Sequence, residues 1–489
     1  MELAKVAAGV AWVPAEARGL VVSGVERDSR RVEPGQLFVA VPGLRHDGAA
    51  YAAVAVERGA RAVISERPLE LPVPVLVVPS AARALGLCAD NFHGQPSREV
   101  AVVGVTGTNG KTTTTFLTQA LLEQTGRPAA LLGTVCGRVA GEEWASSQTT
   151  PCALETHSAL ARARDAGERH LAMEVSSHAL DQERVAGVRY RVAVLTNLSR
   201  DHLDYHGTMD AYGDAKARLF EDLAPEATAV LNLRDPFGRA LARRTPAQVL
   251  TYGWREEGWP PADFGAWVLG RDASGTELAL RYQSEEVRLR LGLLGAFNVE
   301  NALAAGASGL ALGLSLQEVA AGLAACPAVP GRLERIEGPP GSPTVLVDYA
   351  HTPDALERVL SGLAPLTPGE LWTVFGCGGE RDKGKRAPMG QAALRHAQRA
   401  ILTSDNPRSE DPAAIAADVL AGCPAGALLV ELDRAAAIDL AVRSAGPQDV
   451  VVIAGKGHET EQVIGSERLP FDDREVARQA LAHRARLAA

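Results

Sequence analysis

After a β-branched run, the chain carries Thr106-Gly107-Thr108-Asn109-Gly110-Lys111-Thr112-Thr113. Set between a buried strand and a helix, these residue types can wrap phosphate oxygens. The glycines let backbone N–H groups approach, and a helix N-terminus favours an anion. Lys111 would neutralise phosphate charge, and Thr112 would offer its hydroxyl to Mg²⁺. The common pattern G-x-x-x-x-G-K-[ST] needs glycine at position 105, where this chain has Val105, so the loop is of a shorter kind whose first usable glycine is Gly107. A Gly-rich turn with an incidental lysine is the plainer alternative. Glu174 closes another apolar run and precedes two serines, so it could present a carboxylate to Mg²⁺ opposite the loop; the alternative is a strand-end carboxylate capping a turn.

The elements that must hold these residues follow from hydrophobic runs. A strand at Glu99–Val105 precedes the loop and a helix from about Thr112 to Thr125 follows it. Runs at His170–Val175, Val192–Leu195 and Ala229–Leu231 alternate with helical stretches, predicting a parallel sheet covered on both faces. Before it, short runs such as Gln36–Val41 and Ala60–Ile64 predict a small α/β domain, with Gly94-Gln95-Pro96-Ser97 as a linker. After the helix at Val299–Leu312, the turn-rich Cys326–Gly331 marks another boundary. Strands expected at Thr344–Val347, Leu371–Phe375, Ala400–Thr403, Leu428–Glu431 and Val450–Ile453 build a third sheet. The expected domains are 1–97, 98–329 and 330–489, all α/β, the last Rossmann-like. Ligands of open α/β sheets lie beyond the carboxyl ends of the strands. There the third domain places the loops Asp348–Pro353, Gly376–Arg386, Ser404–Glu410 and Ala454–Glu459.

The 489 residues suit about three domains. With 46% hydrophobic and 22% charged residues, the chain is ordinary globular material. Fifty Lys and Arg against 59 Asp and Glu leave a net charge of −9, which disfavours a nucleic-acid binder while allowing a local basic pocket for phosphate. Six cysteines at 88, 136, 152, 326, 377 and 423 form no C-x-x-C pair and fit buried thiols of a reducing compartment. No run approaches the roughly 18 apolar residues of a membrane span, so a cytoplasmic protein without membrane insertion is expected.

The shortened loop G-T-N-G-K-T-T resembles that of the Mur ligases, ATP-dependent amide-bond ligases of peptidoglycan precursor synthesis. The likeness extends along nearly the whole chain through Asp28-Ser29-Arg30, Thr149-Thr150-Pro151, Met173–His178, Thr196–Gly207, Gly331–Glu334 and the four C-terminal loops. It is nearest to members that add a diamino acid to UDP-MurNAc-L-Ala-D-Glu. The resemblance implies a nucleotide site at Gly107, Thr108, Asn109, Gly110, Lys111, Thr112, Thr113, Asn301, Arg332, Asp348 and His351. It implies two Mg²⁺ ions held by Thr112, Glu174, His202 and a CO₂-derived carbamate on Lys216. It further implies contacts to the UDP-sugar-peptide from Ser29, Thr149, Thr150, Ser176, Gln182 and Arg184. Read alone, Lys216 on the expected helix Tyr212–Phe220 would be a solvated surface lysine, Asn301 a solvent-facing helical residue, and the hydroxyls caps or turns.

Asp405-Asn406-Pro407-Arg408 speaks to the amino-acid substrate. Meso-2,6-diaminopimelate ends in a second carboxylate that Arg408 could grip in a two-point fork, whereas lysine and ornithine end in an ammonium that Arg408 would repel. By resemblance Arg381, Asp405, Asn406, Gly455 and Glu459 complete the pocket, with Glu459 pairing an ammonium. Glu380, where relatives often have Asp, and Thr460-Glu461 depart from the family pattern and keep ornithine and lysine open. The expected reaction forms an acyl phosphate from ATP and the D-Glu γ-carboxylate, which the amine then attacks. Closure of the third domain onto the middle one is expected, and the working state is a monomer acting on small molecules. A nucleotide-switch protein would instead need a base-reading N-K-x-D sequence, which is not found. A different ligase of the superfamily, adding a dipeptide or glutamate, would need a pocket other than one built around Arg408 and its partner carboxylate.

Overall fold

The computed structural model describes residues 1–43, 46–146, 148–254, 261–272 and 275–488. They fall into two compact units. One comprises Met1–Gly265, Arg281–Glu285 and Ala302–Leu323, and the other Ala266–Leu280, Glu286–Asn301 and the chain from Ala324 onward.

The first unit opens with four parallel strands in sequence order: β1 (Val25–Glu26), β2 (Leu37–Val39), β3 (Ala62–Ser65) and β4 (Val75–Val77). Leu3, Leu37, Val39, Ile64 and Leu85 share a core beneath them. The helix Ala81–Phe92 is capped by Ser80, whose hydroxyl accepts from the Arg83 N–H. The stretch expected to be a linker is a packed turn instead. Gln95 adopts φ 57°, and Pro96 and Ser97 are buried.

The same unit holds a larger sheet of β5 (Ala101–Thr106), β6 (Ala129–Leu132), β7 (Cys136–Val139), β8 (Glu142–Ala145), β9 (His170–Glu174), β10 (Tyr190–Leu195), β11 (Thr228–Asn232) and β12 (Gln248–Trp254). Its order is β12-β11-β10-β5-β9-β6-β7-β8, parallel as far as β6, with β7 and β8 antiparallel. β5 is buried along nearly all its length, as its Val-rich run requires of a strand covered on both faces. Because β5 pairs with β9 on one side and β10 on the other, the loops after Thr106, Glu174 and Leu195 emerge together at one edge. Strands β13 (Phe264–Asp272), β14 (Gly275–Tyr282) and β15 (Glu285–Leu291) follow, then helices Ala296–Ala311 and Leu316–Ala325.

The second unit contains β16 (Glu334–Ile336), β17 (Thr344–Asp348), β18 (Leu371–Phe375), β19 (Arg399–Leu402), β20 (Leu429–Val430) and β21 (Val450–Ala454), in the order β16-β17-β21-β18-β19-β20. Only β16 is antiparallel to its neighbour. Successive residues point to opposite faces. Leu346, Val450 and Val452 pack into one core, and Val345, Val347, Val451 and Ile453 into the other. The run expected as strand Leu428–Glu431 pairs only at Leu429–Val430, both exposed, as suits a short edge strand. The hairpin β22 (Glu461–Ile464) and β23 (Glu467–Pro470) follows β21.

A buried ion pair ties this unit together. Arg434 donates to Asp473 at 2.7 and 2.8 Å, to Ala454 O at 2.9 Å and to Ser404 O at 3.2 Å, so one guanidinium spans the ends of β19 and β21. Both side chains are fully buried. Asp473→Ala would leave that cation uncompensated and is expected to lower unfolding free energy by about 3–5 kcal/mol, while the double replacement Arg434→Met with Asp473→Leu costs less. Urea melts of the two variants check this.

Candidate functional site

In the first unit the phosphate loop is shaped by two glycines in conformations that L side chains rarely adopt. Gly107 has φ +148° and Gly110 has φ +85°. A Cβ at 107 would strike the Thr196 hydroxyl, so no larger residue fits there. Thr196 and Asn197, just beyond β10, pin the loop from the other side. The Thr196 hydroxyl donates to Asn109 O at 2.6 Å, and Asn197 Oδ1 accepts from the Asn109 N–H at 3.0 Å. The helix Lys111–Gln124 then starts at Gly110 with no side-chain cap, the arrangement that suits an anion at a helix N-terminus. Thr113 is buried in its first turn.

Glu174 lies beside this turn, almost wholly buried. Its Oε2 accepts from the Thr112 hydroxyl at 3.0 Å and the Thr134 hydroxyl at 3.1 Å, and its Oε1 from the Thr134 N–H at 2.6 Å. No group of three or more His, Cys, Asp or Glu placed to hold a metal occurs among the described residues. The oxygen groups present are the Thr112 and Thr134 hydroxyls and one carboxylate. That suits Mg²⁺, which takes one or two carboxylates and completes its shell with water and substrate phosphates.

Two lysines converge on one carbonyl. Lys111 Nζ donates to Gly107 O and Thr108 O, each at 2.9 Å, and Lys216 Nζ donates to Gly107 O at 3.0 Å. Lys216 is 1% exposed, so the surface-lysine alternative is excluded. Burial, with the nearby Lys111 charge adding to it, pushes its amine far below the ordinary lysine range. Its nitrogen lies 4.5 Å from the centre of the Tyr212 ring, and the Tyr212 hydroxyl bonds the Thr108 hydroxyl at 3.1 Å. His202, in the left-handed region at φ 52°, has its ring 6.1 Å from that of Tyr212 and 4.8 Å from that of His178. Burial foremost, with the Lys111 charge adding to it, lowers the His202 pKa and favours the neutral form.

A cleft of about 1590 Å³ opens in the same unit, above the roughly 300–1,000 Å³ of ordinary small-molecule pockets. Ser29, Gln182 and Arg184 line it together with Arg27, Gln148 and Arg162. Arg184 is held by amide oxygens, those of Gln182 at 2.9 Å and Gln148 at 2.6 Å, rather than by a carboxylate. Thr149, Thr150 and Ser176 stand apart from the lining. The Thr149 hydroxyl lies 3.1 Å from that of Thr134, to which it can donate, Thr150 donates to Glu174 O at 2.9 Å, and Ser176 caps the helix Ser177–Asp181.

In the second unit, Asn301 is buried and donates to Asn298 Oδ1 at 3.0 Å, so it does not face solvent. Asp348 accepts from Leu333 N and Ala350 N, each at 2.8 Å, and burial raises its pKa. Arg332 stacks 4.5 Å above the Tyr349 ring, and the exposed His351 bonds Tyr349 O at 2.8 Å through Nδ1.

The Asp405–Arg408 loop gathers with its neighbours at the ends of β18, β19 and β21. Arg408, at φ 53°, directs its guanidinium to Gly379 O at 2.6 Å and Asn406 O at 3.4 Å. A Cβ at Gly378 would meet Arg408 at 3.1 Å and Arg381 Cγ at 3.7 Å, so the two arginines flank one glycine. Among the described residues neither forms an ion pair with a carboxylate, unlike Arg386 with Glu410 and Arg434 with Asp473. Asn406 Nδ2 donates to Glu459 Oε2 at 2.8 Å, and a Cβ at Gly455 would lie 2.6 Å from Asp405 Oδ2.

Thr134, Tyr212 and Lys456 are the residues that motif reading passed over. Tyr212 and Lys456 lie within or beside stretches already singled out. Thr134 has no signal in the sequence, because its role comes from β6 running next to β9.

Comparison with known proteins now bears on this geometry. Residues 21–93 match the model described as Mur ligase family, catalytic domain; 105–309 match the Mur ligase middle domain; and 331–457 match the Mur ligase, glutamate ligase domain. A curated relative from Synechococcus elongatus, named UDP-N-acetylmuramoyl-L-alanyl-D-glutamate--2,6-diaminopimelate ligase, is 46% identical over 95% of both chains. One of the same name from Geobacillus kaustophilus is 45% identical, again over 95% of both. A solved structure carrying that name superimposes with a TM-score of 0.74 at 35% identity, covering 99% of each chain. With identity at this level along nearly the whole length, and three domain models matched in order, the chain belongs to the Mur ligase family.

Proposed function

We propose that the protein joins meso-2,6-diaminopimelate to the γ-carboxylate of the D-Glu residue of UDP-MurNAc-L-Ala-D-Glu, using ATP, in cytoplasmic peptidoglycan precursor synthesis and as a monomer. The observation that carries the choice of amino acid is the Arg381–Arg408 pair, two guanidinium groups with no carboxylate partner among the described residues, beside the Asn406–Glu459 pair. A substrate with a carboxylate and an ammonium at its far end matches both. The relatives named above support the same reading.

The D-Glu carboxylate attacks the γ-phosphorus of ATP, releasing ADP and leaving an acyl phosphate. The amine of the diamino acid then attacks the carbonyl carbon and phosphate departs. Lys111 and the loop N–H groups hold the phosphates, and positioning with charge neutralisation does the rest. Thr112, Glu174, His202 and the Lys216 carbamate are assigned to two Mg²⁺ ions, which when bound would neutralise charge on the transferring phosphoryl group. Lys216 suits carbamylation because a neutral amine can add to CO₂, forming an N–C bond and losing a proton, and burial favours the neutral form. Gly107–Thr113, Asn301, Arg332, Asp348 and His351 are assigned to the nucleotide. Ser29, Thr149, Thr150, Ser176, Gln182 and Arg184 are assigned to the UDP-sugar-peptide. The proposed domains are 1–97, 98–329 and 330–489.

A second reading, with lysine or ornithine as the diamino acid, draws on Glu380. Its carboxylate accepts from the hydroxyl of Ser409, the residue after Arg408 in the chain.

Phosphate release with UDP-MurNAc-L-Ala-D-Glu, measured separately with meso-diaminopimelate, lysine, ornithine and D-Ala-D-Ala, decides between these. Release is expected with meso-diaminopimelate; release indifferent to the amino acid removes the ligase reading. Arg408→Ala is expected to raise KM for diaminopimelate by about 10- to 100-fold, the worth of a charged hydrogen bond, with KM for ATP unchanged. Lys216→Ala is expected to lose nearly all turnover and regain part of it with added acetate or bicarbonate; unchanged turnover would remove Lys216 from the site.

A further inference from the structure

The loop after β21, Gly455-Lys456-Gly457-His458-Glu459, carries a lysine that the reaction has not used. Lys456 is fully buried. Its ammonium spends three protons, on Asn406 Oδ1 at 3.2 Å, Glu459 Oε2 at 3.1 Å and Glu461 O at 2.5 Å. Asn406 Oδ1 also accepts from the Val463 N–H at 2.9 Å, and Asn406 Nδ2 donates to Glu459 Oε2 at 2.8 Å.

These partners leave the Asn406 amide no choice of orientation. An ammonium and a backbone N–H can only donate, and a carboxylate can only accept. The oxygen of the amide must therefore face Lys456 and Val463, and its NH₂ must face Glu459. On Glu459, Lys456 and Asn406 both occupy Oε2, and Oε1 has no donor among the described residues. A buried cation is tolerated only where such partners surround it, so removing Lys456 would undo the orientation of both neighbours at once.

We infer that Lys456 is a positioning residue for diamino-acid selection: it locks the amide of Asn406 and holds Glu459 by one oxygen, reserving the other for the substrate's ammonium. Lys456 also offsets the Glu459 charge, so less negative potential falls near the arginines that meet the substrate's far carboxylate. Without the lysine the pocket is more negative, so a substrate that brings a carboxylate beside its far ammonium loses relative to one that brings the ammonium alone. The inference rests on the function proposed above.

The test is a double-mutant cycle of wild type, Lys456→Met, Glu459→Gln and the double variant, with kcat/KM measured for meso-diaminopimelate and for lysine. Lys456→Met is expected to reduce the preference for diaminopimelate by about tenfold or more, the worth of one charged hydrogen bond, with KM for ATP unchanged. In the Glu459→Gln background the same change is expected to do much less, because the lysine acts through that carboxylate. Equal losses in both backgrounds, or a loss spread evenly over all substrates, would overturn the inference. Lys456→Arg, which keeps cation and donors, is expected to retain most of the preference and serves if the Met variant does not fold. A wild type that prefers lysine refutes the proposed substrate, while the coupling of 456 to 459 is still read from the same four proteins.

Discussion

Two amines share the carbonyl oxygen of Gly107, and much of the first unit is arranged around that crowding. Lys111 and Lys216 approach it at 2.9 and 3.0 Å, and Lys216 does so in full burial. An ammonium in such a place is costly, and a second cation alongside raises the cost, so the amine is driven toward its neutral form. The carbonyl is where it is because Gly107 adopts φ +148° against Thr196, with no room for a Cβ. The loop, the segment after β10 and the helix Met209–Glu221 are thus bound into one constraint. The strand order makes it possible by placing β5 between β9 and β10.

The second unit distinguishes its cations by whether their charge is already met. Arg434 and Arg386 are matched to buried or half-buried carboxylates and hold strand ends and loops in register. Lys456 is matched to Glu459 and Asn406 and is fully enclosed. Arg381 and Arg408 reach backbone or solvent and no carboxylate among the described residues, which is what the proposed role in binding a substrate carboxylate requires. In a chain of net charge −9, a few guanidinium groups with no carboxylate partner among the described residues, at the carboxyl edge of a sheet, make a local positive field that overall charge does not.

The phosphate loop, Glu174 and the strands β5, β9, β17, β18 and β21 were legible because each is written locally, in a buried apolar run followed by polar punctuation. The expected helix at Thr112–Thr125 is the observed Lys111–Gln124. Strands β13 to β15 were not anticipated; their runs mix charged and apolar residues in the way of a half-exposed sheet, which carries a weaker signal than a buried one. Lys216 and Lys456 look alike in sequence to any solvated lysine, and only their burial separates them.

By itself the sequence determined which residue types are available and where strands yield to loops, because backbone preference and hydrophobic period act over a few neighbouring residues. It therefore settled the family likeness, the α/β class and the motif positions. Tertiary structure decided which distant residues share an atom: Lys111 with Lys216 on Gly107, Thr134 with Thr112 on Glu174, Lys456 with Asn406 on Glu459. Those pairings depend on strand order and on removal from water, and neither is written in any local stretch of the chain.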